Sequence, residues 1–418
     1  MRLFNKTLLA VAVTVASSQA MAAGFQLNAQ SATGLGRAFA GDAVIADNAS
    51  VMARNPAAMA LFDKMELSLG FETITTMIDV KNAKYCGISC QMAITQPVDS
   101  NYDDAGDTSI APNIHLIVPV NEQFAWGVNG YSNFGTKTEF SDSFIAKEYG
   151  GLTDVKSANF GVAGSYRLNE QWSFGAGLDL IYGQGSMKRT ASADVPLIGG
   201  MDLVNVEKAD GWALGFNLGT VYELDDHNRF GLSYRFSPEM DAKDDKGQKI
   251  VLPLPDMAEF SGFHKLENTQ FAVHYSIQYI SWSDFDQIAF SNLKGSPLGS
   301  KYNKQYKWQD GWHYSLGGTY YLNNDWTLRA GYMYDTSAQD SLTSVSVPDS
   351  DRQWFSAGFT YHIDSESNFD LGLTYLMGKD VKVSESTPSP IGSGNLSSLS
   401  ATTRADAILF GLQYSRSF

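Results

Sequence analysis

The sequence predicts an all-β fold, a 14-stranded antiparallel transmembrane β-barrel with a small, partly helical N-terminal hatch in its lumen. Three observations carry this reading. Apolar and small or polar residues alternate with a period of two, as in Phe271, Val273, Tyr275, Ile277 and Tyr279 against Ala272, His274, Ser276 and Gln278, the pattern of a strand with one oily and one wet face. Six short polar turns cut the chain into seven long hairpins, hence fourteen strands. Aromatic residues flank the turns at one common depth.

The turns lie at 121–123, 169–171, 225–228, 267–270, 323–325 and 364–368, all rich in Asn, Asp and Glu. Between them run stretches of several dozen residues, each long enough for a strand of about 9 to 11 residues up, a loop and a strand down. Short turns on one side and long loops on the other are expected of a barrel whose turns face the periplasm. Phe124, Trp126, Trp172, Phe230, Phe271, Trp326 and Phe369 follow the turns, and Tyr166, Tyr222, Tyr320 and Tyr361 precede them, as an interfacial girdle requires. Glycines such as Gly175, Gly177, Gly215, Gly219 and Gly358 fall on the lumen phase. A soluble core would need bulk at those positions to avoid voids; a wide barrel filled by water, ligand or a plug does not. In the last strand Phe410, Leu412, Tyr414 and the terminal Phe418 share a face broken only by Arg416, an ending similar to the C-terminal signal of bacterial outer-membrane proteins.

The N-terminus carries Arg2 and Lys6, an apolar run at 8–16 and the small-x-small site Ala20, Met21, Ala22, which reads as a secretory signal peptide over 1–22. No later stretch has the roughly 20 apolar residues that a spanning helix needs, so membrane insertion must use strands. The formal charge is −15 at mean hydropathy −0.19, and loss of the leader brings the charge to about −17. An acidic chain argues against nucleic acid as a partner. Cys86 and Cys90, the only cysteines, are expected to form a small local disulfide in an oxidising compartment. No further ligand lies near them, and no metal or other cofactor is expected.

Residues 23–63 lack the alternation and contain helix-compatible pieces around 38–49. Their composition fits a compact plug in the lumen and also a periplasmic extension. The stretch AGFQLNAQSATGLGRAFAGDAVIAD, followed by Asn55, Pro56 and Ala57, strongly resembles the N-terminal hatch of the FadL family of long-chain fatty-acid transporters. The likeness continues through NEQFAWGVNGYSNFG, YRLNEQWSFGAG, GWALGFNLGTVYELD, YSIQYISWSDF, TYYLNNDWTLRAGYMYD and SVPDSDRQWFSAGFTY.

This resemblance implies a monomeric barrel over 64–418 in the bacterial outer membrane, among lipid and lipopolysaccharide. It also implies passive uptake of long-chain fatty acids by loop capture, lumenal binding and lateral exit at a kink in the third strand. That strand falters at Ser132, Asn133, Phe134 and Gly135, and Gly or Asn within a strand often marks a bulge. The same resemblance assigns Asn55, Pro56 and Ala57 as gate support touching the opened wall, an ordinary helix stop at Asn55 being the simpler alternative. Phe25 is the expected hatch residue of the inner pocket, Asp335 an acidic neighbour of the hatch motif, and Arg189 and Lys304 the basic residues for a ligand carboxylate. The outer loops around 193–210 and 241–249 look short for a capture groove, and aromatic hydrocarbons are alternative cargo, as relatives in this family take them up.

An enzyme would need Ser and His presented together. His115, His227, His264, His274, His313 and His362 are scattered over different strands or turns, so no catalytic site is expected. The run Asp99, Asn101, Asp103, Asp104, Asp107 lacks the glycine and closing glutamate of a calcium loop and reads as a solvated loop. A general hydrophilic porin shares the barrel but would not need forty residues of hatch.

Overall fold

The computed structural model describes residues 24–193, 195, 197–388 and 394–418. The leader at 1–22 lies outside the described residues, as do 194 and 196 in the first of the short outer loops. The barrel strands are β1 (Glu66–Cys86), β2 (Thr108–Pro119), β3 (Phe124–Glu139), β4 (Leu152–Arg167), β5 (Trp172–Thr190), β6 (Asp202–Asp225) and β7 (Asn228–Phe236). They continue as β8 (Met257–Lys265), β9 (Phe271–Ile280), β10 (Gly311–Tyr321), β11 (Trp326–Asp335), β12 (Arg352–His362), β13 (Ser367–Gly378) and β14 (Asn395–Ser417). Each pairs antiparallel with its neighbours, and β1 closes the ring on β14 from Glu66↔Ser417 to Cys86↔Ser398. The result is a closed 14-stranded barrel.

Alternation sets which face each residue takes. In β9, Ala272, His274, Ser276 and Gln278 are buried on the lumen side, whereas Phe271, Val273 and Ile277 are exposed on the outside. The wall is therefore polar within and apolar without, inverted from a soluble protein, as hydrocarbon demands.

Two different devices mark the edges of the apolar band. At the short turns, aromatic residues face each other across neighbouring strands: Phe124 on Tyr166, Trp172 on Tyr222, Phe271 on Tyr320, Trp326 on Tyr361 and Phe369 on Tyr414, with centroids 4.5 to 5.2 Å apart. At the opposite edge, outward tyrosines donate to aspartates of the next strand or its approach. Tyr279 reaches Asp310 at 2.8 Å, Tyr334 reaches Asp351 at 2.8 Å, Tyr375 reaches Asp406 at 3.4 Å, and Tyr234 bonds Asp256. The second oxygen of each carboxylate accepts a backbone N–H at the end of the tyrosine's strand, from Ser283, Ser337, Gly378 and Ser237 respectively, at 2.8 to 3.0 Å. Each aspartate thus caps a strand where the ladder meets water.

The long loops carry short strands that the alternation did not reveal. Met240–Lys243 and Lys249–Leu252 form a hairpin that pairs onward with Gln287–Ser291, itself joined to Lys301–Gln305. Val381–Pro388 extends along β14. Cys86 and Cys90 are joined as a disulfide in the first outer loop. In the acidic run beside it, Asp104 accepts the N–H groups of Ile78 and Gly106, while Asp99 and Asp107 pair with Lys84 and Lys137.

Residues 24–62 lie within the wall, and nearly all are buried. The expected helix near 38–49 is displaced: the α-helix is Ala32–Gly36, capped by the Ser31 hydroxyl on the Gly34 N–H, and 3-10 turns follow at Ala49–Ala53 and Pro56–Leu61. Ala38 and Phe39 sit at positive φ of 52° and 57°, a left-handed conformation that cannot continue a right-handed helix. Asn55 begins a helical turn rather than ending one. Its side chain accepts the Ala57 N–H and Pro56 holds the first position, where a missing N–H costs nothing.

Candidate functional site

The site forms where the third strand leaves the wall. Along β3, alternation is regular from Phe124 to Tyr131, and then 132–136 are buried without a break. On the β4 side the ladder continues across a bulge, with Ser132 opposite Ala158 and Phe134 opposite Ser157, so Asn133 is the extra residue. On the β2 side the ladder runs only from Pro119↔Ala125 to Asn113↔Tyr131 and stops. Pro112, which has no N–H to donate, stands one residue beyond the last pair. The strands meet again higher up, through the Glu139 N–H to the Ala105 carbonyl at 3.1 Å and Lys137 to Asp107 at 2.6 Å. The interruption is bounded at both ends.

Its partner comes from the N-terminal segment. Leu27 donates to the Asn133 carbonyl at 2.8 Å, Gly135 donates to the Phe25 carbonyl at 2.9 Å, and Gln26 bridges Phe134. A short added strand thereby satisfies the edge that β2 leaves unpaired. This corrects the expectation for Asn55, Pro56 and Ala57, which do not meet the β3 interruption. They rest on β5 and β6, where a Cβ on Gly175 would come within 2.3 Å of the Ala57 nitrogen and one on Gly219 within 1.9 Å of the Asn55 Oδ1. Only glycine admits so close an approach. Asn55 Nδ2 fastens the turn to the Ala43 and Thr220 carbonyls at 2.8 and 3.0 Å.

The strand at 25–27 separates two chambers. Outward lies a tight apolar cavity of about 20 Å³ whose lining includes Phe134, Val155, Met240, Ile250, Leu252 and Leu254. Inward lies one of about 20 Å³ whose lining includes Gln30, Arg54, Tyr131, Asn133, Arg235 and Glu259. Phe25 stands at the boundary in an aromatic box, 4.6 Å from Trp282, 5.3 Å from Phe285, 5.7 Å from Trp308 and 6.2 Å from Phe134.

Arg189 is buried, and its guanidinium donates to the Leu152 and Lys188 carbonyls at 2.6 and 2.8 Å and to the Thr153 hydroxyl at 2.6 Å. Its charge has no carboxylate partner among the described residues. Lys304, on the outer hairpin, is paired with Glu385 at 2.5 Å, and Glu385 also accepts the Val345 N–H at 2.9 Å. Burial disfavours the Lys304 ammonium, but Glu385 outweighs it and holds the pKa above the ordinary lysine range. Both cations act on the Tyr306 phenol, which packs on Phe285 and Trp308. The structure thus connects Arg189, Lys304 and Phe25 through an aromatic chain.

Asp335 is placed elsewhere. It lies fully buried at the outer end of β11, 3.1 Å from Arg352 and 3.4 Å from His313, and shares no contact with the Asn55 turn. Its opposite-strand arginine claims it, since Asp335 and Arg352 are cross-strand partners. Arg54, Arg235 and Arg329 tie the N-terminal segment to the wall instead: Arg54 reaches Glu259 at 3.4 Å and Asn28 at 2.5 Å, Arg329 reaches Asp47 at 3.2 Å, and Arg235 donates to the Ala53 carbonyl at 2.6 Å. Trp282, Phe285, Tyr306, Trp308 and Glu385 were not singled out from sequence. The signal was present, as six aromatics within residues 282–308 are unusual for a loop that faces water.

A closed barrel, polar within, whose third strand breaks from its neighbour beside an apolar chamber, defines an outer-membrane channel class. The chain belongs to the outer membrane protein transport protein (OMPP1/FadL/TodX) family, whose model matches residues 13–418, and it is an outer-membrane protein. It is 34% identical over 433 residues to the long-chain fatty acid transport protein of Escherichia coli strain K12, covering 92% of this chain and 94% of that one. It is 32% identical over 465 residues to outer membrane protein P1 of Haemophilus influenzae Rd, covering 100% of both. Among solved structures, a Pseudomonas aeruginosa FadL homologue superposes with a TM-score of 0.81 at 21% identity, over 95% of this chain and 100% of that one. The Pseudomonas putida toluene transporter TodX gives 0.63 at 19%, over 89% and 94%.

Proposed function

We propose that this protein carries long-chain fatty acids or similar hydrophobic compounds passively across the outer membrane, working as a monomer. In this reading the outer loops capture ligand among lipopolysaccharide, the apolar chamber binds it, and it leaves sideways between β2 and β3. Sixteen carbons represent roughly 12 kcal/mol of preference for an apolar site at about 0.8 kcal/mol per methylene, which a water-filled pore cannot supply. The observation that carries the reading is the bounded interruption at Asn113↔Tyr131, sealed by residues 25–27 beside that chamber. Residues 23–63 act as the hatch, with the Asn55 turn as its anchor. Arg189 and Lys304 receive the carboxylate, Lys304 by exchanging Glu385 for ligand, since a carboxylate leaving water needs a charged partner. The relatives named for long-chain fatty acids support this cargo over aromatic hydrocarbons. The mechanism asks no catalytic group of the protein.

The test is uptake of radiolabelled oleate, toluene and small sugars in cells carrying the protein, beside a variant lacking Asn133. Deleting that residue removes the bulge, restores the β3–β4 register and lets β3 rejoin the wall. Oleate uptake in the parent, lost in the deletion with the barrel folded, is the expected result. Sugar flux without oleate uptake overturns the transporter reading; toluene without oleate transfers it to aromatic hydrocarbons; undiminished oleate uptake by the deletion variant overturns the lateral exit.

A further inference from the structure

A third chamber, of about 220 Å³, lies on the short-turn side between the N-terminal segment and the lumen wall, with Asp47, Arg229, Phe263, Tyr321, Arg329 and Asp370 among its lining. Most charges at this mouth are paired. Arg37 holds Asp42 and Asp47 at 2.8 and 2.9 Å, Arg329 holds Asp47 at 3.2 Å and Asp370 at 3.6 Å, and Arg167 holds Glu223 at 2.9 Å.

Two cations are left over. Arg229, on β7, lies over the Phe263 ring at 5.0 Å, and Lys265, on β8, lies over the Tyr321 ring at 5.4 Å. Among the described residues neither has a carboxylate within 4.0 Å. The Arg229 Nε is buried with no hydrogen-bond partner, and Arg229 acts on the same Tyr321 phenol that Lys265 covers. Lys265 is exposed and solvated, so the unmet demand is that of Arg229, whose cross-strand neighbour Glu223 is held by Arg167 at 2.9 Å. A buried guanidinium nitrogen without an acceptor is costly unless something supplies one.

We propose that Arg229, Lys265 and Tyr321 form a periplasm-facing site for the carboxylate of a small amphipathic acid, separate from the outer chamber and from the β2–β3 interruption. Phe263, Ile45 and Ala46 give its apolar body a floor. A singly charged carboxylate fits better than a phosphate dianion, because Asp47 and Asp370 line the same chamber and repel a second negative charge.

The experiment uses the full chain in lipid nanodiscs with Ala46→Cys, labelled through its thiol with a trifluoromethyl group; the two native cysteines are bonded to each other and do not react. Sodium octanoate is titrated while the fluorine resonance is followed, beside inorganic phosphate and empty nanodiscs. The expected result is a saturable shift, weakened at least tenfold in affinity by Arg229→Gln with Lys265→Gln and unchanged by Arg189→Gln, which reports on the outer chamber alone. No shift, a shift indifferent to the double substitution, or an equal response to phosphate at the same concentration overturns the proposal. Heat-modifiable gel mobility confirms that each variant is a folded barrel, and a variant that fails it is replaced by Arg229→Lys, for which an undiminished shift also overturns it.

Discussion

The N–H of Gly135 donates to the carbonyl of Phe25 at 2.9 Å, so the residue that fills the aromatic box is also sewn by its backbone to the strand that leaves the wall. Side-chain plug and backbone seal therefore move together. In the proposed mechanism, withdrawing Phe25 from between Trp282 and Trp308 would break the pairing of β3 and open the floor of the apolar chamber.

Phe25→Ala should separate the two roles, because the backbone bond survives. Losing a buried phenylalanine from the box should cost about 1.5 to 3 kcal/mol of apolar contact, so ligand retention should weaken by roughly tenfold to a hundredfold. Equilibrium binding of labelled oleate to the purified variant measures this. Unchanged affinity would remove Phe25 from the pocket.

Glu385→Gln should strengthen fatty-acid binding. The carboxylate of Glu385 occupies Lys304 at 2.5 Å, and a ligand anion must displace it; the neutral amide competes less well. Arg189→Gln should weaken binding, as its buried charge has no carboxylate within 4.0 Å among the described residues. Opposite signs from these two substitutions, measured in one binding assay, are the expected outcome, and equal signs would argue that neither cation meets ligand.

Gly219→Ala should dislodge the Asn55 turn, since the added carbon would lie 1.9 Å from the Asn55 Oδ1. Asn55→Ala is gentler and gives up bonds to Ala43, Thr220 and Ala57, about 1 to 3 kcal/mol if those groups stay buried. Hydrogen exchange at residues 49–61 should rise in both variants, more in the first, while the barrel strands remain protected.

Two of the carboxylates that cap strands at the outer edge, Asp310 and Asp351, should make stability fall in acid. Burial works against ionised Asp310 and Asp351, but the N–H of Ser283 or Ser337 and the phenol of Tyr279 or Tyr334 more than offset it and hold both below the ordinary aspartate range. A depressed carboxylate contributes stability that is complete above its unfolded pKa of about 3.9 and is lost as pH falls through the lower folded value. Thermal unfolding between pH 7 and pH 5 should therefore be flat in these terms, with loss beginning below about pH 4. Asp351→Asn should remove part of that acid loss while lowering stability at pH 7.

Strand number was legible because a membrane wall imposes alternation on every segment that crosses it, and Asn-rich turns such as 169–171 interrupt it cleanly. Arg189 and Lys304 could be named only through a family likeness. What escaped were arrangements that depend on which distant segments meet. Nothing local in Gly175 or Gly219 says that Asn55 will rest on them, and nothing around Phe25 says that it will pair with Gly135. Asp335 was misplaced for the same reason, as its partner Arg352 is seventeen positions away in sequence but directly opposite in the sheet. The outer hairpins were missed because their strands, although they alternate in burial, are only four or five residues long, too short for a period to stand out in the sequence.

A closed barrel has no sheet edge, and this one has a short edge along β3 that its own residues 25–27 cover from inside. The arrangement is intramolecular strand complementation. If those residues leave, bare N–H and C=O groups face a place where hydrocarbon cannot satisfy them, at several kcal/mol each. The uncovered form is thus a rare, high-energy member of the resting ensemble, and any ligand that stabilises it surrenders that difference from its apparent affinity. In the proposed mechanism the covered form is then the resting condition, and a ligand would need enough apolar surface to offset an exposed β-edge.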